Sequence, residues 1–269
     1  MNFLCVNGKF ATATDPVIHA ANKGYRYGDG FFETIRVFNG KIPLHVFHKA
    51  RIEKSLMLLR YELPVSLDAL FGQILELCAL NNCSNNARVR LSFSHGEGTL
   101  FEHTALHYLI EATAYTPQTA ASGLKLGLYR ELQKEASPYS SLKLSSAFIY
   151  SRAGQYCTER GLNDCLILNT GGQIIESIIS NMFWIKDGIT ATPPLQDGCI
   201  AGVFRSFLLE QDPLIREQSC TIEMLKEADE IFLTNALRGV QRVQQLDDRI
   251  YADTLTRRQF FTKGRDPFG

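Results

Sequence analysis

Short runs in which apolar and polar residues alternate flank two stretches of helical spacing in the first part of the chain. FLCV and KFA are joined by Asn7-Gly8, a pair suited to a two-residue turn at positive φ, so a β-hairpin is predicted. FFETIRVF, Asn39-Gly40 and KIPLH predict a second hairpin. Residues 45–60 then carry Phe47, Ala50, Met57 and Leu58 at helical spacing. Ser66 caps a second helix with Leu67, Leu70, Phe71, Ile74 and Cys78 on one face. Strands return at ARVRLSF (87–93) and HYLIEATAY (107–115). Strands, then helices, then strands read as an α+β fold.

Beyond this the text turns small and polar in TPQTAASG (116–123), the best linker in the chain. It divides an N-terminal α+β domain (1–116) from a larger C-terminal domain (123–269), with 117–122 between them. The second part opens with the strand LKLGLY (124–129) and a loop leading to Lys143. A helix is predicted over 145–160, stopped by Gly161. The strands CLILN, QIIES and NMFWI follow, separated by Gly171-Gly172. ATPPLQDGCIAG is then a loop opening into a helix near Val203. A short helix (222–227), the strand EIFLT (230–234) and a charged tail complete the reading.

Two residues break the pattern chemically. Glu176 stands among branched apolar residues in QIIESIISNMFWI, where a strand should run. Burying a carboxylate costs several kcal/mol unless it is paired, so this acid should have a partner. Lys143 is a lone cation among hydroxyl and apolar residues in SPYSSLKLSSAF, surroundings in which a lysine can become a nucleophilic amine. Other candidates are ordinary when taken singly. Gly202-Val203-Phe204-Arg205 opens a helix, and its N–H groups could hold an anion. Arg51 has a spare charge on its helix that could clamp a phosphate bidentately, and Asn235-Ala236 lies just past a strand end. Together they point to an aldehyde cofactor with a phosphate tail and a basic ring nitrogen.

Composition narrows the partners. Lys plus Arg and Asp plus Glu each number 28, so no global field favours nucleic acid or an anionic membrane. The basic tail from Arg257 to Arg265 reads as a solvated surface. Seven scattered cysteines without a CxxC pair suggest buried thiols in a reducing cytoplasm, with neither a disulfide frame nor a metal site. No signal peptide is read at MNFLCVNGKF, and no apolar run approaches the roughly 20 residues of a membrane span.

The order of motifs resembles a known family. GYRYGDGFFETIRVFNGKIPLHVFHKARIEKS (24–55), Lys143, ILNTGGQIIESIISNMFWIKDG (167–188), TPPLQDGCIAGVFR (192–205) and FLTNALRGVQRV (232–243) resemble the class-IV aminotransferases. These are the fold-type IV pyridoxal-phosphate enzymes, which include branched-chain aminotransferases, D-amino-acid aminotransferases and aminodeoxychorismate lyases. The resemblance covers nearly the whole chain and implies their two-domain fold, a pyridoxal 5′-phosphate cofactor, a small-molecule amino substrate and a homodimer. It puts Lys143 at the lysine that links to the cofactor and shuttles the proton. Glu176 falls at the acid facing the pyridine nitrogen, and Arg51 at the phosphate-binding arginine. Val203 and Phe204 fall at the helix start that holds the phosphate, with Phe204 lacking the threonine hydroxyl common there. Asn235 and Ala236 fall at the last phosphate loop.

Within the family, Thr34 in FFETIR and Asn235-Ala236-Leu237 resemble the lyases, implying release of pyruvate and 4-aminobenzoate from 4-amino-4-deoxychorismate. His95 stands where many members carry an arginine for a substrate carboxylate, and Ser146 where an asparagine is common. Both departures count against the lyase. The arginine is common in D-amino-acid enzymes too, and Phe32 stands where those carry tyrosine, so a branched-chain or, less readily, a D-amino-acid transaminase is the alternative. A non-catalytic cofactor-binding protein is disfavoured while Lys143 and Glu176 are both present. From its local sequence His95 is most simply a strand-end surface residue.

Overall fold

The computed structural model describes residues 2–117, 123–252, 254–256 and 267–268. Most of the linker and the basic tail at Arg257, Arg258 and Arg265 lie outside the described residues. The chain forms two compact units, Met1–Pro117 with Leu142–Ser146, and Gln118–Ser141 with Ala147–Gly269.

The first unit holds β1 (Phe3–Val6), β2 (Lys9–Thr12), α1 (Lys23–Tyr27), β3 (Gly30–Phe38), α2 (His45–Leu59), α3 (Leu67–Leu80), β4 (Asn86–His95) and β5 (Leu106–Ala114). Its antiparallel sheet runs β2-β1-β5-β4-β3. Asn7 and Gly8 make the predicted hairpin turn, with φ of 49° and 83°. Ser66 caps α3 by accepting from Ala69 N, and Leu70, Phe71, Ile74, Leu77 and Cys78 bury its expected face against the sheet.

Two expectations fail here. KIPLH forms no strand; only Phe38 and Lys41 pair, because Pro43 lacks an N–H and the chain enters α2 at once. In α2 the buried residues are His48, Ile52 and Ser55, while Met57 is exposed. The inward face of that helix is partly polar because an acid of the sheet lies beneath it.

The second unit holds β6 (Leu124–Lys134), α4 (Phe148–Arg160), β7 (Asp164–Asn169), β8 (Ile174–Ser177), β9 (Asn181–Lys186), β10 (Ile189–Thr192), α5 (Val203–Gln211), β11 (Arg216–Glu217), α6 (Ile222–Glu227), β12 (Glu230–Asn235), β13 (Gly239–Leu246), β14 (Arg249–Ile250) and α7 (Thr254–Thr256). Its sheet runs β11-β10-β9-β12-β13-β6-β7-β8, and β8 pairs back onto β9, so part of the path closes on itself. Leu126, Leu128, Leu166, Met182, Trp184 and Leu233 fill one core. Cys165 and Ile167 alternate to the other face of β7 and pack on Ala153 and Cys157 of α4. All seven cysteines are free and buried, as the sequence suggested.

Helix α4 ends at Gly161 in the left-handed region, as predicted, yet begins at Phe148 and not at 145. The backbone just before it is already used: Phe32 N donates to Lys143 O and Ser145 N to Gly30 O, both at 2.9 Å. Strand β13 was missed because GVQRVQQL buries only Gly239, Val243 and Leu246 and looks like a charged tail. No helix among the described residues is long and apolar enough to cross a membrane.

Candidate active site

In the first unit, Lys143 sits on a short segment zipped to the start of β3, with Leu144 bridged to Phe31. That pairing fixes the Lys143 main chain, and its Nζ stands 4.4 Å from the Phe32 ring centroid. The same ring carries the Arg90 guanidinium at 3.9 Å, so one aromatic supports two cations. Thr34 lies two residues along β3 from Phe32, on the same face and opposite Arg90.

The opposite face of β3 carries Phe31, Glu33, Ile35 and Val37, all buried. Glu33 is 1% exposed, and Arg51 reaches it with Nε to Oε1 and Nη2 to Oε2, each at 2.6 Å. His48 Nδ1 lies 2.8 Å from the same Oε2. Burial alone would raise Glu33, but Arg51 and His48 more than offset it and hold the carboxyl at about 2. Burial pushes His48 the other way, down from its ordinary value. Arg51 therefore differs from the expectation of a spare charge: its bidentate edge is engaged on Glu33. The signal was available, since Glu33 keeps the phase of the core positions in FFETIRVF.

His95 is also not a free surface residue. Its Nδ1 is 3.0 Å from Asp29 Oδ2, its ring packs edge-on against Tyr61 at 4.3 Å, and its side chain is 17% exposed. The Tyr61 hydroxyl donates to Asp29 Oδ1, and Lys23 Nζ stands 3.3 Å from Oδ2. Burial would raise Asp29, yet these three partners together hold it below its ordinary value. No sequence pattern linked Asp29, Tyr61 and His95, which lie far apart along the chain.

In the second unit, Glu176 is 2% exposed on β8, opposite Ile167. Its Oε1 accepts from Lys134 Nζ at 2.9 Å and Tyr150 Oη at 2.7 Å, and its Oε2 from Ile200 N at 2.8 Å. The acid thus has the partner its burial demanded. Neither Lys134, at the charged end of β6, nor Tyr150 on α4 stood out in the sequence. Asp164 secures the turn that follows Glu176: its Oδ1 accepts from Cys165 N and Ile178 N, and its Oδ2 from Ser177 Oγ.

The start of α5 has no side-chain cap at Gly202, which leaves the N–H groups of its first turn, including those of Val203 and Phe204, outside the helical ladder. A Cβ on Gly202 would lie 1.7 Å from Asn181 Oδ1, so any larger residue would have to displace that side chain or the helix start. Asn181 is held in turn by donating from Nδ2 to Ile200 O. Opposite Asn181 on β12 is Thr234, whose Oγ1 is buried without a hydrogen-bond partner among the described residues. Phe204 buries its ring beside Phe207, so it offers backbone only. Asn235 builds the next loop: its Oδ1 accepts from Leu237 N and Arg238 N, and its Nδ2 donates to Ser180 Oγ at 3.0 Å. Ala236 lies within that turn.

Comparison with known proteins agrees with this architecture. The chain is 30% identical over 262 residues to the aminodeoxychorismate lyase of Bacillus subtilis, covering 91% of this chain and 87% of that one. It is 24% identical over 264 residues to the D-alanine aminotransferase of Staphylococcus haemolyticus, covering 94% and 92%. The branched-chain amino acid aminotransferase of Escherichia coli shares the fold, with a TM-score of 0.86 at 20% identity, covering 96% of this chain and 92% of that one. The family model for amino-transferase class IV matches residues 30–246, and the chain belongs to that family.

Proposed function

We propose that this chain is a pyridoxal 5′-phosphate-dependent 4-amino-4-deoxychorismate lyase, releasing pyruvate and 4-aminobenzoate. The observation that carries it is the Asn235 turn, whose side chain organises an Asn-Ala-Leu loop of the lyase type. Thr34 on the Phe32 face of β3 and the identity to the Bacillus subtilis lyase support the same choice.

The residues present suit the cofactor. An uncapped helix start, a glycine packed close against Asn181 and a Thr234 hydroxyl without a partner among the described residues make a cradle for a phosphate. Val203 and Phe204 would bind it through N–H groups, and Asn235 and Ala236 through their loop. In the first unit, Arg51 is the cation that the family resemblance assigns to the phosphate, and Glu33 already holds its bidentate edge. Glu176 would receive the ring N–H on Oε2. Once bound, the cofactor supplies an electron sink for charge developing beside the substrate nitrogen. Lys143 Nζ takes the proton α to that nitrogen, with Phe32 beneath it fixing its approach. Thr34 acts on the same face, and His95, oriented by Asp29, binds a substrate carboxylate through Nε2. The chain works as a homodimer, as the family resemblance implies, and its free, buried thiols suit a cytoplasmic setting.

His95, in place of an arginine, favours a second reading as a branched-chain transaminase. Incubating the cofactor-loaded protein with 4-amino-4-deoxychorismate and no keto acid separates the two. Repeated turnover to 4-aminobenzoate and pyruvate, lost in Lys143→Ala, is expected. Amino acids converting the cofactor to its amine form, with no 4-aminobenzoate, would make the protein a transaminase.

A further inference from the structure

The contacts around Glu176 fix where each proton lies. Lys134 Nζ is 3.0 Å from Ser140 O, 2.9 Å from Tyr150 Oη and 2.9 Å from Glu176 Oε1. Tyr150 has one hydroxyl proton and gives it to Glu176 Oε1 at 2.7 Å, so the lysine must donate to the phenol oxygen. Burial and the neighbouring Glu176 push Tyr150 up, which keeps it a donor. Three acceptors then surround a nitrogen that has three protons only as an ammonium. The remaining oxygen, Oε2, takes the Ile200 N–H at 2.8 Å. Ser140 is itself fixed by a turn, donating from Oγ to Glu135 O and accepting from Ser137 N.

We propose that Lys134 is a positioning residue that holds Glu176 as an anion and aims its Oε2 before any ligand arrives. The reason is electrostatic. Glu176 is almost wholly buried, and a buried carboxylate without a cation takes up a proton instead of remaining charged. The hydroxyl and the amide alone supply hydrogen bonds but no compensating charge. A protonated Glu176 would meet a ring nitrogen as a donor, whereas the anion meets it as an acceptor. The identity of that ligand rests on the cofactor reading above; the effect of the lysine on the carboxyl does not.

Infrared difference spectra of the full chain, freed of small molecules at neutral pH, test this directly. Lys134→Met should show a protonated-carboxyl stretch that is absent from the wild type and from Lys134→Arg. The band should vanish in Lys134→Met/Glu176→Gln. No band in Lys134→Met overturns the proposal. Should that variant fail to fold by circular dichroism, Tyr150→Phe decides: it keeps the cation and should show no band, and a band there would make the tyrosine the holder. Calorimetric titration with pyridoxal 5′-phosphate in buffers of different ionisation heat adds a count. Lys134→Met should take up about one proton fewer than the wild type, because Glu176 supplies its own. Equal uptake would count against the lysine. Failure of the wild type to bind pyridoxal 5′-phosphate would sink the cofactor reading and leave the infrared result to judge Lys134.

Discussion

Glu33 and Asp164 are both nearly inaccessible to solvent, yet their surroundings move them in opposite directions. Burial would raise Glu33, but Arg51 and His48 hold it at about 2, against 4.5 ordinarily. Its contribution to stability is therefore present above the unfolded value and is lost as pH falls through about 2. The size is about 3 kcal/mol, so Glu33→Gln should be less stable than the wild type by about that much at neutral pH, in urea denaturation. The gap should narrow as the solution is acidified. Asp164 has hydrogen-bond donors but no ion pair among the described residues, and burial, only partly opposed by those donors and the Arg238 charge, raises it from 3.8 to about 6. A raised carboxyl gives stability that is full below the unfolded value and lost as pH rises through the folded one. Relative to Asp164→Asn, the wild type should lose about 3 kcal/mol as pH rises from below 3.8 to above about 6. Parallel stability curves for the two proteins would contradict that.

At the scale of elements, the start of α5 is the most constrained. Gly202→Ala would drive a methyl group into Asn181 Oδ1, so either the helix start or the asparagine must move. Pyridoxal 5′-phosphate affinity should fall about tenfold or more, with a stability cost of about 1–3 kcal/mol, as read by fluorescence titration and thermal melting. At α3 the predicted cap is present, and Ser66→Ala should cost about 1 kcal/mol.

Much of this level was legible in the sequence. The Asn7-Gly8 turn, the Ser66 cap and the Gly161 stop are local devices, written where they act. The start of α4 misled because the backbone of Lys143 and Ser145 just before it is claimed by β3, more than a hundred residues earlier, and no local propensity records such pairing. The same holds for the site. Lys143 and Glu176 stood out by type and surroundings, whereas Lys134, Tyr150 and Asp29 act through contacts that only folding creates.

For the molecule as a whole, equal numbers of acidic and basic residues give a pI near 7.0. Solubility should therefore be lowest close to neutral pH and should rise on either side. The homodimer proposed for the active form predicts twice the 30.2 kDa chain mass in sedimentation equilibrium. The monomer mass under conditions of full activity would refute it.

The allocation of Leu142–Ser146 to the first unit bears on how the protein is born. A fragment ending at Pro117 would contain all five strands of the first sheet, but Phe32 N and Gly30 O would have lost their partners. It would present a bare edge to any neighbouring chain, the usual beginning of aggregation. On the ribosome, too, the first unit cannot be finished when its last strand emerges. It must wait, edge open, until the lysine-bearing segment has been synthesised.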